Sequence, residues 1–102
     1  MPNKDNVENI IIQEGVKSID NDSFKGFHNL KYLELPSDID YNECDPDIFS
    51  DIYGLKTFKG NPIFLELIQK DELTVLCIPF DIEEIPEGIC ANCKSLNEVE
   101  IE

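Results

Sequence analysis

The sequence predicts an α/β fold built as a solenoid of stacked repeats. One pattern, Leu-x-x-Leu-x-Leu-Pro, occupies residues 30–36 and recurs with apolar substitutions on both sides of that segment. Its successive starting points lie 23, 25, 18 and 23 residues apart, and self-similarity at such a period is the signature of a repeat architecture. Apolar residues alternate within each copy, which indicates a short β-strand with one buried face. The copies begin at Val7, Leu30, Leu55, Leu73 and Leu96.

These copies divide the chain into four units and a terminal strand. The predicted units are residues 7–29, 30–54, 55–72 and 73–95, followed by the strand 96–102. Residues 1–6 are polar and are predicted to form a disordered tail, as the ends of many domains do.

In the first two units, the strand is followed by a turn whose apolar residues face inward. Gly15 suits a tight bend after the first strand, because glycine tolerates a positive φ. The apolar residues beyond it recur every third position, which favours a short helical or 3-10 turn packed against the core. These predicted core residues are Phe24, Phe27 and Leu30 in the first unit and Phe49, Ile52 and Leu55 in the second.

The third unit is five residues shorter than the usual period, and its pattern changes. Gly60 stands where the other units have Leu or Ile, and Asn61-Pro62 reads as a helix N-cap followed by the first helical residue. We therefore expect a single helix of roughly two turns to replace the usual strand and turn. Leu65 falls outside the apolar stripe of that helix, so it is expected either to be exposed or to pack on the neighbouring unit. The stripe consists of Ile63, Phe64, Leu67 and Ile68.

The fourth unit returns to the regular pattern, with cysteines in two of its core places. Cys90 aligns with Phe24, and Cys93 aligns with Phe27. Because a buried cysteine behaves as a small hydrophobic residue, both are predicted to be reduced core thiols.

Taken together, the repeated residues resemble the BspA-like leucine-rich repeats. The shared pattern is Leu-x-x-Leu-x-Leu-Pro-x-x-Ile followed by Ile-x-x-x-x-Phe-x-x-(Cys/Phe)-x-x-Leu, over residues 7–102. The resemblance implies a right-handed solenoid with a parallel β-sheet on its concave face and short helices or 3-10 turns on its convex side. It also implies adhesion or partner binding and a repeat without a catalytic motif. An asparagine ladder is not expected, since Gly15, Asp38, Ile63 and Asp81 hold the corresponding positions.

The charge of the chain narrows the classes of partner. Twenty-two acidic residues against eight basic ones give a net charge of −14, which repels nucleic acid and anionic membrane surfaces. Basic proteins, cationic peptides and divalent metals are compatible with it. No apolar run reaches the ~20 residues of a membrane helix, and the first residues lack the apolar core of a signal peptide. A complete chain is thus expected to be cytoplasmic, whereas a piece of a longer protein could belong to the cell surface.

The acidic stretch in the second unit begins like a calcium-binding loop but does not continue as one. An EF-hand loop requires Gly at its sixth position and a bidentate Glu at its twelfth. Those positions hold Glu43 and Phe49, so we expect a solvated loop, with neither a metal nor another cofactor. The alternative is a weak, irregular Ca²⁺ site formed by Asp38, Asp40, Glu43, Asp45 or Asp47.

The sequence likewise offers little for zinc binding or catalysis. A structural zinc site needs four ligands, and Cys90-x-x-Cys93 supplies one pair. His28 is the single histidine and accompanies no recognisable nucleophile motif. We therefore predict that the chain is not an enzyme.

The predicted concave face of the sheet is the candidate binding surface. Side chains alternate along a strand, so the residues between buried positions point away from the core. Aromatic and apolar groups among charged ones are typical of protein interfaces. The predicted contact residues are Ile11, Gln13, Tyr32, Glu34, Thr57, Lys59, Val75, Cys77, Glu98 and Glu100.

Two functions from different classes follow from these observations. The first is non-catalytic recognition of a protein partner through the concave sheet. The second is a purely structural role as a segment of a longer adhesive array, and the calcium-binding loop is a third hypothesis. We also predict a monomer that self-associates as salt screens its acidic residues.

Overall fold

The chain folds into one five-stranded parallel sheet, with a 3-10 helix in some of the segments that join or precede the strands. The computed structural model describes residues 4–20, 22–82, 85, 87–89, 91 and 93–101. The strands are β1 (Asn9–Ile11), β2 (Tyr32–Glu34), β3 (Thr57–Lys59), β4 (Val75–Ile78) and β5 (Glu98–Ile101), and they lie side by side in chain order. The 3-10 helices are Lys4–Asn6, Tyr41–Glu43 and Pro62–Glu66. The predicted α/β solenoid is confirmed, with short 3-10 helices as its helical elements in the described part.

Because the repeats stack in register, the same position of each unit falls on one line across the sheet. Ile10 pairs with Leu33, Leu33 with Phe58, Phe58 with Leu76, and Leu76 with Val99. The inner three members of this row are essentially unexposed. The alternation in the sequence thus places one side of every central strand in the core.

A column of aromatic rings fills the space between the sheet and the turns. The Phe24 and Phe49 rings lie 5.1 Å apart between centroids, and the Phe49 and Phe64 rings lie 6.3 Å apart, nearly edge to face. All three side chains are buried, while Phe27 is half-buried against the same cluster. The predicted core positions of the first two turns are therefore confirmed for Phe24, Leu30, Phe49, Ile52 and Leu55, and Phe27 packs at the edge of the same core. Cys93 packs half-buried against the core, and Cys90 lies outside the described residues.

The third unit keeps its strand, contrary to the sequence prediction. Gly60 donates its N–H to the carbonyl of Cys77 at 3.1 Å, just as Leu35 donates to Lys59 at 2.9 Å, so the inter-strand hydrogen bonds continue through this unit. A side chain on Gly60 would meet the ring of Phe58 at 3.0 Å. The large Phe58 side chain thus fills the space that glycine leaves.

The predicted helix of roughly two turns is a shorter 3-10 helix, Pro62–Glu66. Asn61 is its N-cap, as expected, and accepts a hydrogen bond from the Ile63 N–H at 3.1 Å. Leu65 was expected either to be exposed or to pack on the neighbouring unit. It is fully buried, so the first expectation is wrong.

Two residues that align with core positions are exposed. Val16 is 38% exposed, although its counterpart Ile39 is buried, and Ile85 is 52% exposed, although its counterpart Ile19 is buried. Val16 belongs to the first unit, which has a neighbour on one side only. Ile85 belongs to the fourth unit, whose strand neighbours β5 at the edge of the sheet.

The segment before the first strand is partly ordered, where the sequence predicted a disordered tail. Lys4–Asn6 form a single 3-10 turn, and Lys4 donates to the Lys25 carbonyl at 3.0 Å. Asn29 holds the same turn by donating to the carbonyl of Asp5 at 2.7 Å. Residues 1–3 lie outside the described part. None of the described helices has the length and apolar character needed to cross a membrane.

Candidate functional site

The side of the sheet opposite the core, called the open face from here on, carries two parallel rows of side chains. The register of the strands aligns their first residues in one row and their third residues in the other. Each row therefore contains one residue from each strand. The structure therefore brings the predicted contact residues together on one surface, except Gln13, which follows β1 in a loop. The rows are Asn9, Tyr32, Thr57, Val75 and Glu98, and Ile11, Glu34, Lys59, Cys77 and Glu100.

Neighbouring strands shield the middle of the open face more than its edges. Tyr32, Glu34, Thr57 and Lys59 are half-buried by the strands on either side. Ile11 on the first strand is 55% exposed, and both glutamates of β5 are exposed. The open face thus has a partly shielded centre between an apolar edge and an acidic edge.

Tyr32 and Glu34 form the hydrogen-bonded pair at this centre. The Tyr32 hydroxyl donates to Glu34 Oε1 at 2.8 Å. Burial, and then the hydrogen bond to the Glu34 carboxylate, raise the pKa of Tyr32 to about 12. The phenol therefore stays protonated and keeps the carboxylate oriented on the open face.

Cys77, predicted as a contact residue, contributes little surface. It is only 9% exposed, and its Sγ lies 3.3 Å from Glu100 Oε2. Glu100 is its partner in the register of β4 and β5, so Cys77 contributes to the row through this contact more than through exposed surface.

A cleft opens where the open face meets the loops that follow the strands. It has a volume of about 260 Å³ and extends from the loop after β1 to the loop after β4. Ser37 Oγ donates to Asp81 Oδ2 at 2.6 Å, which ties the loop of the second unit to that of the fourth. The cleft is lined by Ile11, Ile12, Gln13, Glu14, Glu34, Leu35, Pro36, Ser37, Lys59, Pro79, Phe80 and Asp81.

Phe80 is the most exposed apolar residue among those of this cleft that the predicted contact residues did not include. Its side chain is 81% exposed, although phenylalanine is usually buried. It lies in a loop, where strand periodicity gives no signal. Alignment of the units would have indicated it, because Glu14 and Ser37 hold the equivalent place after the strand in the first two units.

The acidic residues of the second unit cap their own turns. Asp40 accepts from the Asn42 N–H, and Asp45 accepts from the Asp47 N–H, both at 2.9 Å. Within the described residues, no group of three His, Cys, Asp or Glu side chains is placed to hold a metal ion. The expectation that this loop binds no metal stays a prediction.

His28 joins two units at the end of the sheet where the strands begin. Its Nδ1 lies 3.4 Å from Asp5 Oδ1, and its Nε2 lies 3.9 Å from Asp51 Oδ2. The ring stacks on Tyr53 at 5.9 Å, and Asp51 also accepts from the Gly26 N–H at 2.8 Å. These contacts give the histidine a structural role between units.

The chain matches the family model described as "BspA type Leucine rich repeat region (6 copies)" over residues 2–102. No curated protein and no solved structure matches it. The match covers the whole sheet, both rows of the open face and the cleft. The chain therefore belongs to the family of BspA-type leucine-rich repeat proteins.

Proposed function

We propose that this chain is a non-catalytic recognition module that binds a protein partner through the open face of its sheet. The observation that carries the proposal is the pair of side-chain rows, which hold apolar, aromatic and charged groups together on one regular surface. Aromatic and apolar groups surrounded by polar ones are what protein interfaces contain. A leucine-rich repeat solenoid is a scaffold suited to such a surface.

The charge favours a basic partner. The net charge of −14 attracts cationic surfaces over distances of about one Debye length and repels anionic ones. Glu34, Glu98 and Glu100 place part of that charge on the open face itself. Electrostatic complementarity of this kind raises association rates and selects against acidic partners.

Site-specific photo-crosslinking tests the proposal. A benzophenone amino acid placed at Thr57 or Val75 reports on the open face, and the same group at Lys25 or Asp47 reports on turns beyond the core. Incubation with a whole-cell extract of the source organism should give a discrete protein adduct from the first two positions, while the second two give none. The proposal would be contradicted if Lys25 and Asp47 gave adducts as readily as Thr57 and Val75. It would also be contradicted if only Lys25 and Asp47 gave them.

One observation favours the structural alternative. Val99 and Ile101 on β5 are 52% and 71% exposed, which is the state of a solenoid end on which another repeat could stack. The same method separates the two functions, because a structural segment would form adducts from Val99 and none from Thr57.

A further inference from the structure

The cleft at the end of the open face owes its existence to the short third unit. The first, second and fourth units each send a loop past the end of their strand to line the cleft, whereas Lys59 is the contribution of the third unit. Immediately after Lys59, the chain turns at Gly60 into the helix Pro62–Glu66. The hydrogen bond between Ser37 and Asp81 then spans the gap above this unit. The cleft is therefore a local feature of this chain and does not recur in every repeat.

Two exposed apolar side chains form part of its wall. Phe80 is 81% exposed and Ile11 is 55% exposed, and both line the cleft together with Pro36 and Pro79. Its volume of about 260 Å³ is below the ~300–1,000 Å³ of pockets that enclose a drug-sized molecule. The space suits one side chain of a partner protein.

The charges of the residues that line the cleft indicate which kind of partner side chain it would bind. The lining contains three carboxylates, those of Glu14, Glu34 and Asp81, and one amine, that of Lys59. Two of these carboxylates are held in position, since Glu34 accepts from the Tyr32 hydroxyl and Asp81 accepts from the Ser37 hydroxyl. An acidic side chain would be repelled here, whereas a cation would meet carboxylates and an aromatic ring in the same cleft.

We propose that the cleft binds a single lysine or arginine side chain of the partner, with arginine preferred. The aliphatic stem would cover Ile11, and the charged head would lie between the Phe80 ring and the Glu34 carboxylate. Arginine is preferred because its planar guanidinium stacks on an aromatic ring and donates to a carboxylate at the same time. This inference rests on the proposed function, because it names the anchor with which a basic partner would engage the open face.

A pair of synthetic peptides tests this directly. One is a blocked Gly-Ser-Arg-Ser-Gly peptide, and the other carries citrulline, which has nearly the shape of arginine but no charge. In ¹H–¹⁵N NMR titrations, the arginine peptide should shift the backbone amides of Ile11, Glu34, Lys59 and Phe80. The citrulline peptide should bind about tenfold more weakly, the difference expected for loss of one cation–π contact and one charge-assisted hydrogen bond.

Substitutions with matched controls locate the contact. Phe80→Ala and Glu34→Gln should each weaken the arginine peptide by about three- to tenfold, since each removes one of its two contacts. Tyr53→Ala is the control for Phe80, because Tyr53 is also an exposed aromatic residue but lies where the strands begin. Glu66→Gln is the control for Glu34, because Glu66 also accepts from a tyrosine hydroxyl at 2.8 Å but lies outside the cleft. Both controls should bind like the parent chain, and the NMR spectrum of each variant checks its fold.

Three results would overturn the inference. One is equal affinity for the arginine and citrulline peptides, and another is the absence of shifts at millimolar peptide. In a third, the arginine peptide would shift amides of Tyr32, Thr57 and Val75 while those around the cleft stay unchanged. That outcome would remove the cleft as the anchor but leave recognition through the open face intact. Failure of the proposed function would instead show in the photo-crosslinking from Thr57 and Val75.

Discussion

The central strands and the end strands carry the same repeat pattern, yet they bury it to very different extents. Leu33 and Phe58 in the middle of the sheet are completely buried, and Leu76 is 1% exposed. In the same row, Ile10 is half-buried and Val99 is 52% exposed. The difference teaches that a repeat of this kind does not bury its own apolar face. A neighbour on each side does so, as expected for quasi-one-dimensional folds.

The largest effect should come from the centre of the aromatic column. Phe49 is fully buried and contacts both the Phe24 and Phe64 rings. Phe49→Ala is expected to lower the free energy of unfolding by about 3–5 kcal/mol, the usual loss for a large buried aromatic side chain. Urea unfolding followed by circular dichroism measures it. A loss below about 1 kcal/mol would show that the three rings do not form the core assigned to them.

Truncation to alanine at two places in one row tests the comparison itself. Leu33→Ala in β2 should cost about 2–5 kcal/mol, because it leaves a cavity between two neighbouring strands. Val99→Ala in β5 should cost less than about 1 kcal/mol, because half of that side chain already contacts water. Equal losses in urea unfolding would mean that β5 is covered in solution, for example by a second molecule.

The end strand also offers a test of self-association. β5 presents an open backbone edge together with Glu98 and Glu100, and charge is a common device against pairing at such edges. We expect a monomer at low ionic strength, with association increasing as salt shortens the range of the repulsion. Sedimentation velocity across a salt series measures this, with Glu98→Gln/Glu100→Gln as a variant that should associate at lower salt. A variant that stays monomeric wherever the parent chain does would show that these charges do not control the edge.

Much of the architecture could be predicted because each unit repeats the same physical problem. The alternation of apolar residues specified which face of each strand is buried, and alignment of the units specified which residues share a row. Phe24 and Phe49 followed from the same alignment. These features depend on local periodicity, which a single sequence contains.

The remaining features depend on neighbours that periodicity does not describe. Gly60 weakened the strand pattern of the third unit, but its N–H donates to Cys77 of β4, and the Leu35 N–H donates to Lys59, so the hydrogen bonds of the sheet continue there. Val16 matched a core position, but the first unit has a neighbour on one side only. Phe80 belonged to no apolar period, so the cleft became visible only when the loops of three units were placed around Lys59.

The smallest expected effect concerns the open face, where central and end strands also differ in burial. In the central β2, Tyr32 and Glu34 are half-buried and share a hydrogen bond of 2.8 Å, whereas the glutamates of β5 are exposed. Burial first, and then Glu34, raise the pKa of Tyr32 from 10.0 to about 12. Because the folded pKa is the higher one, the stabilisation is fully present below the ordinary pKa near 10. It is lost as the pH rises through about 12.

Glu34→Gln should therefore lower the pKa of Tyr32 without returning it to 10.0, since the shielding by neighbouring strands remains. Near neutral pH, where the phenol is protonated in both states, the free energy of unfolding should change by no more than about 0.5 kcal/mol. Ultraviolet titration of tyrosinate measures the first quantity, and urea unfolding measures the second. Glu66→Gln is the matched control, because it should lower the pKa of Tyr41, which its hydrogen bond raises, and leave that of Tyr32 alone. If Glu34→Gln leaves the titration unchanged, the pair does not form in solution. If it instead brings the pKa of Tyr32 fully to its ordinary value, the strands on either side of β2 do not shield the open face, and the contrast with β5 is confined to the core.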